Sequence, residues 1–193
     1  MPGPTLDPVQ SDMRLPDRAD VVVIGGGIIG ASTALELAER GLSVLLCEKG
    51  QIGGEQSSRN WGWVRLSMRD PREIPLMLEA IRIWEGLEAR TGRRTGYRKS
   101  GILYTSSSAR SCDQRARWAE NLAPFQTEAR MLSGAELDAL LPGHRMALKG
   151  ALYTPGDGRA EPQWAAPAIA EAARDAGAVV MTGCAVRSLD VAA

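Results

Sequence analysis

The 193-residue sequence has one histidine, three cysteines and no excess of either sign of charge. Its single histidine, His144, lies in a Pro-Gly-His-Arg turn that favours a solvent-exposed structural role over catalysis. The three cysteines, Cys47, Cys112 and Cys184, are scattered and share no metal-ligand spacing. We therefore expect no metal site, assign no catalytic residue, and favour a reducing cytoplasmic location, with peripheral attachment to a membrane still compatible.

The charge balance narrows the classes of partner. Lysine plus arginine and aspartate plus glutamate number 23 each, and no polybasic tract occurs, so we expect neither nucleic acid nor an anionic membrane as the main partner. No apolar run is long enough for a membrane span, and the first twenty residues lack the apolar core of a signal peptide. Residues 1–18 are expected to form a flexible leader.

The most informative segment is a strand followed at once by a glycine turn. Residues 21–24 (Val-Val-Val-Ile) are apolar on both faces, which predicts a central parallel strand. Gly25, Gly27 and Gly30 then occupy the three glycine positions of G-x-G-x-x-G. The first permits a tight turn, the second lets the backbone approach a pyrophosphate, and the third lets helix and strand pack closely.

A helix and a second strand complete the pattern. The helix opens with Ile28 and Ile29, so its N-terminal N–H groups and positive dipole end point at the phosphates. The next strand, 42–47, ends at Glu48, whose carboxylate is placed to accept hydrogen bonds from a ribose diol and would repel a 2′-phosphate. The strand, the glycine turn, the helix and the acid all match the pattern of a dinucleotide-binding unit, so the sequence predicts a dinucleotide site. We also assign Lys49, which follows Glu48, to this site.

The remaining pattern indicates an α/β fold with a doubly wound, Rossmann-like sheet interrupted by an α+β insert. The sheet domain is expected over 19–62 and 155–193, and the insert over 63–154. Helices are expected over 71–89, 108–122, 163–176 and, after a capping box at Ser133 to Glu136, up to Pro142. Pro167 must lie in the first turn of its helix or kink it. Further strands are expected at 101–105, 150–154, 178–181 and 185–189.

A polar loop, Gln-Ser-Ser-Arg-Asn-Trp-Gly at 56–62, follows Glu48. Small residues such as Ser57 and Ser58 let the backbone pass close to a pyrophosphate and ribityl chain, with N–H and hydroxyl groups satisfying the phosphate oxygens. Arg59 suits a phosphate or neighbouring backbone carbonyls.

These residues resemble the D-amino-acid oxidase superfamily, which includes glycine and sarcosine oxidases and D-amino-acid dehydrogenases. The likeness extends from about Ala19 to Val191 and rests on the glycine turn, Glu48, the loop at 53–62 and the return at 158–162. The loop is similar to the small-Ser-(Gly/Ser)-Arg-Asn-x-Gly segment that some members run along the flavin.

The resemblance implies FAD, bound non-covalently because the loop offers neither histidine nor cysteine. It implies oxidation of a C–N bond in a small amino acid or secondary amine, by hydride transfer to the flavin and hydrolysis of the imine in water. Asn60 and Gly62 would approach the isoalloxazine ring. The assigned FAD contacts are Gly25, Gly27, Ile28, Ile29, Gly30, Glu48, Lys49, Ser57, Ser58, Arg59, Asn60 and Gly62.

Family members are much longer, so the chain resembles their N-terminal portion, with an incomplete sheet that downstream sequence or a partner chain would complete. Two alternatives stay open: an NAD-dependent dehydrogenase, which the serine-rich loop disfavours, and a non-catalytic or partner-dependent FAD-binding subunit or truncated fragment. Arg65 is a candidate for contact with a substrate carboxylate, but a plain surface position is favoured, because most arginines are exposed. Packing roles are favoured for Trp61, Trp63, Tyr97 and Tyr104.

Overall fold

A computed structural model of the protein describes residues 5–191. The strands and helices, in chain order, are β1 (Val21–Ile24), α1 (Ile28–Glu39), β2 (Val44–Cys47), β3 (Trp63–Val64), α2 (Ile74–Thr91), β4 (Ile102–Ser106), α3 (Ala109–Ala119), β5 (Arg130–Leu132), α4 (Gly134–Leu140), β6 (Gly150–Thr154), β7 (Gly158–Arg159), α5 (Pro162–Asp175) and β8 (Val179–Met181). Short 3₁₀ turns cover Gln56–Ser58, Pro71–Glu73 and Glu120–Phe125.

Contacts divide the chain into two compact units. Among the described residues, the first unit contains 5–62, Gly86–Tyr97 and 160–191. The second unit contains Trp63–Glu85 and Arg98–Arg159. The segment Gly86–Tyr97, which our predicted boundaries assign to the insert, thus lies in the first unit.

The first unit is built on a parallel sheet in the order β1-β2-β8. Val21 pairs with Val44, and Leu45 pairs with Val179, so β2 lies between the other two strands. All four residues of β2 are buried, which is typical of a central parallel strand. The parallel strand–helix–strand order is the one expected for an α/β fold.

Strand β1 corrects one prediction, because it is not a central strand buried on both faces. Among the described residues it pairs only with β2, and its burial alternates. Val22 is 49% exposed and Ile24 is 56% exposed. Val22 and Ile24 lie on one face of the strand, which the described residues leave exposed, whereas Val21 and Val23 on the other face are half-buried.

Helices α1 and α5 pack together extensively in the first unit. The contact is possible because both helices bury mainly alanines, such as Ala31 and Ala34 in α1 and Ala170 and Ala173 in α5. These four side chains have no exposed surface, so the helix backbones approach closely.

Pro167 lies inside α5 rather than in its first turn, which Pro162 begins. A proline has no N–H, so the carbonyl of Gln163 loses its intrahelical donor. The backbone N–H of Asp7 replaces that donor at 3.2 Å. Farther along, Asp12 donates its backbone N–H to the carbonyl of Val180, and its carboxylate accepts the N–H of Val180. The segment expected to be a flexible leader is therefore attached to this unit over residues 7–12.

The second unit contains an antiparallel sheet in the order β4-β6-β5 and a short antiparallel pair, β3-β7. Helices α3 and α4 contact β6. Leu132, Leu137 and Ala151 form its buried cluster. In the β3-β7 pair, Trp63 faces Arg159 and Val64 faces Gly158.

Three further local predictions need correction. Ser133 is the N-cap of α4, but its side chain accepts no capping hydrogen bond, whereas Ser108 and Ser111 form a reciprocal capping box at α3. The helix expected over 71–89 begins as a 3₁₀ turn and continues as α2 to Thr91. Residues 185–189 are not a strand, because they are exposed and pair with no described strand.

Within residues 5–191, no helix combines the length and apolarity needed to cross a membrane.

Candidate cofactor-binding site

The turn between β1 and α1 brings two backbone segments into close contact. Gly25 has a φ of 107°, a conformation that favours glycine. A Cβ added at Gly30 would overlap the carbonyl oxygen of Gly25. These two positions therefore require glycine for reasons visible in the backbone itself.

The N-terminus of α1 has the features of an anion-binding site. Its N-cap, Gly27, provides no side-chain hydrogen bond, and the first turn contains no acidic residue. Ile29 is 78% exposed, which leaves the start of the helix accessible to solvent. The first N–H groups of a helix lack intrahelical acceptors and carry its positive dipole end, so they favour a phosphate.

Ser57 contacts this helix start directly. Its hydroxyl oxygen accepts the N–H of Ile28 at 2.8 Å. A Cβ at Gly27 would lie 3.0 Å from the same oxygen, so the glycine leaves room for the serine. Two segments that the sequence assigned separately to the cofactor, the glycine turn and the serine loop, thus meet at one place.

Glu48 lies beside the same turn and is only 8% exposed. One carboxylate oxygen accepts the N–H of Gly26 and the other accepts the N–H of Gly50, each at 2.7 Å. The acid therefore holds the glycine turn against the end of β2. Sequence reasoning missed this second role, because Gly26 is the unspecified residue of the motif. Its function as a ribose acceptor stays a prediction.

Asn60 organises the loop after Glu48. Its side-chain amide donates to the carbonyls of Gln56, at 3.1 Å, and Ser57, at 2.9 Å, and its oxygen accepts the N–H of Gly62 at 2.7 Å. Gly62 has a φ of 70°, and a Cβ there would overlap the carbonyl oxygen of Ala160. The loop is therefore a closed turn tied to the segment before α5.

Three other assigned residues, Lys49, Ser58 and Arg59, contact Glu55. Arg59 and Lys49 have side chains 52% and 68% exposed, and both pair with Glu55, at 3.5 and 3.7 Å. Ser58 is buried and donates its hydroxyl to the carbonyl of Glu55 at 3.3 Å. Contacts of these three residues with FAD stay predictions.

The structure brings together two cysteines that the sequence presents as scattered. Burial and the neighbouring thiol of Cys184 raise the pKa of Cys47 to about 11. The backbone N–H of Cys184 donates to the carbonyl of Glu48 at 2.8 Å, which holds the backbone of Cys184 beside the end of β2. No group of three or more histidine, cysteine or acidic residues that suits a metal ion occurs in the described part of the chain.

Candidate residues of the second unit form a separate group. The rings of Trp63 and Tyr104 lie edge to face with centroids 5.7 Å apart, and the guanidinium of Arg65 lies within 6 Å of both. His144 is not solvent-exposed as expected: its side chain is 16% exposed, with Nε2 3.0 Å from Asp138. Burial in a turn that packs against α4 explains the difference.

A family model described as FAD dependent oxidoreductase matches residues 20–193. The chain belongs to this family. The resemblance to the D-amino-acid oxidase superfamily and the α/β class with a partial Rossmann-like sheet are thereby confirmed.

Relatives of the chain in this family include human mitochondrial sarcosine dehydrogenase, which is 32% identical over 92% of this chain and 20% of the relative. Glycine oxidase of Geobacillus kaustophilus is 33% identical over 83% of the chain and 45% of the relative. The structure of L-amino acid deaminase from Proteus myxofaciens in complex with anthranilate superposes with a TM-score of 0.92, at 31% identity, over 98% of this chain and 44% of that one. The chain therefore spans less than half the length of these relatives.

Proposed function

We propose that this chain supplies the nucleotide-binding part of an FAD-dependent enzyme that oxidises the C–N bond of a small amino acid or secondary amine. The observation that carries the proposal is the start of α1, where Ser57 accepts the N–H of Ile28, the N–H groups of Ile29 and Gly30 have no intrahelical acceptor, and Glu48 holds the preceding glycine turn. The donors suit a pyrophosphate and the acid suits a ribose, so the residues fit the dinucleotide half of FAD.

In this proposal the N–H groups of Ile29 and Gly30 bind the pyrophosphate, and Glu48 binds the adenosine ribose. Asn60 and Gly62 shape the loop that borders the flavin. Binding is non-covalent, because residues 56–62 contain neither histidine nor cysteine for attachment. Bound FAD would supply the hydride acceptor for oxidation of the carbon that carries the amine.

The substrate class follows from the relatives. Their names specify sarcosine, dimethylglycine and glycine, all small amines with a carboxylate. We extend that class, and not one particular substrate, to this chain. No side chain is assigned as an acid or base, since an amine that binds unprotonated can transfer a hydride without one.

We further propose that the first unit is the FAD-binding domain and that the second unit belongs to the substrate domain. Compared with our predicted boundaries of 19–62 and 155–193 for the FAD-binding domain and 63–154 for the insert, Gly86–Tyr97 moves to the first unit and residues 155–159 move to the second. Strand β1 exposes Val22 and Ile24 on one face. We propose that chain beyond these residues, or a partner chain, packs against that face and completes the sheet.

A second candidate is an FAD-binding subunit that does not turn over alone. It is favoured by the coverage of less than half of the relatives' length. The NAD-dependent alternative is disfavoured, because the family model that matches the chain describes FAD-dependent oxidoreductases.

The test begins with a titration of FAD into the purified protein, monitored by flavin fluorescence. Glu48→Gln is expected to weaken binding about tenfold or more, because one acceptor oxygen becomes an amide facing backbone N–H groups, at a cost of about 1–3 kcal/mol. The matched control is Glu79→Gln, the same change at an exposed helix position, and it should bind FAD like the unchanged protein.

Substrate is then tested by anaerobic bleaching of the flavin with sarcosine, glycine and larger amino acids. Bleaching supports the amine oxidoreductase. Tight FAD binding without bleaching supports the subunit candidate, and no FAD binding at all contradicts both proposals.

Cellular location is a separate proposal. The cysteine usage favours the cytoplasm, while several relatives are named as mitochondrial. Fractionation of cells that express the protein would distinguish the two compartments.

A further inference from the structure

We propose that Cys47 and Cys184 form a redox-active thiol pair, which a hydroperoxide such as hydrogen peroxide converts into an intramolecular disulfide. Both cysteines belong to the first unit, and both are free thiols in this structure. The inference goes beyond the proposed function and does not depend on it, because the pair neither binds nor oxidises an amine.

The backbone brings the two residues together at the end of the parallel sheet. Cys47 is the last residue of β2 and pairs with the last residue of β8. After β8 the chain turns at Gly183, which has a φ of 62° and donates its N–H to the carbonyl of Gly50 at 3.0 Å. The N–H of Cys184 then donates to the carbonyl of Glu48 at 2.8 Å. The segment after β8 is therefore folded back along the residues that follow Cys47.

The two thiol groups are also neighbours. Burial and the adjacent thiol of Cys184 both raise the pKa of Cys47, to about 11. A disulfide requires two cysteines whose side chains point towards each other at short range, and adjacent thiols meet this requirement with little backbone movement.

The exposure of the two side chains assigns them different roles. Cys184 is partly exposed, whereas Cys47 is only 4% exposed. An oxidant in solution therefore reaches Cys184 first. Cys47 is the resolving thiol, since a redox-sensitive cysteine reacts onward when a second cysteine lies beside it. Cys112, the third cysteine, belongs to the second unit and provides an internal comparison.

The oxidation balances in two steps. Hydrogen peroxide transfers one oxygen atom to the sulfur of Cys184, which becomes a sulfenic acid, and water leaves. The sulfur of Cys47 then forms the S–S bond as the S–O bond of Cys184 breaks, and the hydroxyl group leaves with the thiol proton of Cys47 as a second water. Each thiol has lost one electron, and the O–O bond of the peroxide has been reduced. A small thiol reverses the reaction by thiol–disulfide exchange.

The disulfide would fasten the segment after β8 to the end of β2. Cys47 directly precedes Glu48, whose carboxylate accepts the N–H of Gly26, so the cross-link forms at the border of the candidate cofactor site. A cross-link that closes a long loop restricts mainly the unfolded chain. Oxidation of the pair should therefore stabilise the folded protein.

The test treats the purified, reduced protein with an excess of hydrogen peroxide, blocks the remaining thiols with N-ethylmaleimide and maps the peptides by mass spectrometry. We expect peptides joined through Cys47 and Cys184, no link that includes Cys112, and a monomer on a non-reducing gel. The midpoint of thermal unfolding should rise by about 5–10 °C. Dithiothreitol should restore all three thiols and reverse the rise.

Three variants separate the roles of the cysteines. Cys112→Ser is the matched control and should keep both the cross-link and the rise in the unfolding midpoint. Cys184→Ser, a change at a partly exposed position, should lose both. In Cys47→Ala the sulfenic acid should accumulate on Cys184, where dimedone traps it. Circular dichroism checks that each variant is folded, and the peptide map of the unchanged protein is decisive even if a variant is not.

The proposal is overturned if peroxide consumes thiols without linking Cys47 to Cys184, if the link joins two chains, or if folded Cys184→Ser shows the same rise in the unfolding midpoint. A dimedone adduct on Cys47 in place of Cys184 would overturn the assigned order of steps. None of these measurements needs FAD, so a failure of FAD binding in the separate titration contradicts the proposed function alone.

Discussion

Backbone contacts at single residues explain most of the candidate cofactor site. At Gly30 the absence of a Cβ lets α1 start directly against the carbonyl of Gly25. At Glu48 a buried carboxylate holds the N–H of Gly26 in place. The glycines were predictable from their spacing, because the motif encodes a turn. The hydrogen bond to Gly26 was not predictable, because the motif leaves that position unspecified.

Gly30→Ala is expected to lower the free energy of unfolding by about 3 kcal/mol, since the added methyl overlaps backbone that cannot move independently. Urea unfolding measures the change. The control is Gly86→Ala in α2, where an added Cβ meets nothing within 4 Å, and there we expect stabilisation of about 0.5–1 kcal/mol. Equal effects of the two substitutions would contradict the close contact at Gly30.

The thiol of Cys47 provides a pH-dependent prediction. Its pKa of about 11 means that the reactive thiolate is rare in the folded protein at pH 8. Iodoacetamide at that pH should label Cys112 at least ten times faster than Cys47, and Cys47 labelling should rise steeply only as pH approaches 11. The raised pKa disfavours the thiolate in the folded state, so stability falls as pH rises from about 9 towards 11.

Peptide mass spectrometry measures the labelling, and unfolding in urea is the control that should make all three cysteines react alike. Fast labelling of Cys47 in the native protein at pH 8 would contradict its burial beside Cys184.

At the scale of elements, helix packing in the first unit depends on small side chains. Apolar periodicity predicted that α1 and α5 are helices, and the structure confirms both. That they pack on each other was not predictable, because the two segments lie more than a hundred residues apart. The hydrogen bond from the N–H of Asp7 to the carbonyl of Gln163 compensates for the missing N–H of Pro167. It was not predictable either, because Asp7 and Gln163 are also far apart in the sequence.

Ala170→Leu is expected to cost about 1–3 kcal/mol of unfolding free energy, because the larger side chain must enter a fully buried position in α5. Ala89→Leu makes the same change at an exposed position of α2 and should alter stability by less than about 0.5 kcal/mol. Thermal and urea unfolding measure both variants. An unchanged stability for Ala170→Leu would show that the α1–α5 contact has room for a larger residue.

At the scale of the whole molecule, the main feature is a sheet with one apolar face left open at β1. Val22 and Ile24 lie on that face, whereas Leu46 in the neighbouring strand is fully buried. Exposed apolar side chains on an edge strand promote association with other chains. The chain spans less than half the length of these relatives.

The double substitution Val22→Thr with Ile24→Thr should change the unfolding free energy by less than about 1 kcal/mol, because both side chains are already half exposed and threonine suits a strand. Self-association, measured by light scattering, should decrease. Leu46→Thr is the buried comparison and should cost about 2–5 kcal/mol. A comparable cost for the double substitution would show that the β1 face is already covered.

Local patterns in the chain were sufficient to predict β1, the glycine turn, α1 and the acid Glu48 at the end of β2. They were also sufficient to predict the family. Such features depend on the spacing of residues within one or two turns of backbone, which can be read in order along the chain. The edge position of β1, the meeting of Cys47 with Cys184 and the place of Arg65 between two rings required the folded molecule. Each of them depends on residues far apart in the chain or on surface that no neighbouring element covers, and only packing brings such partners together.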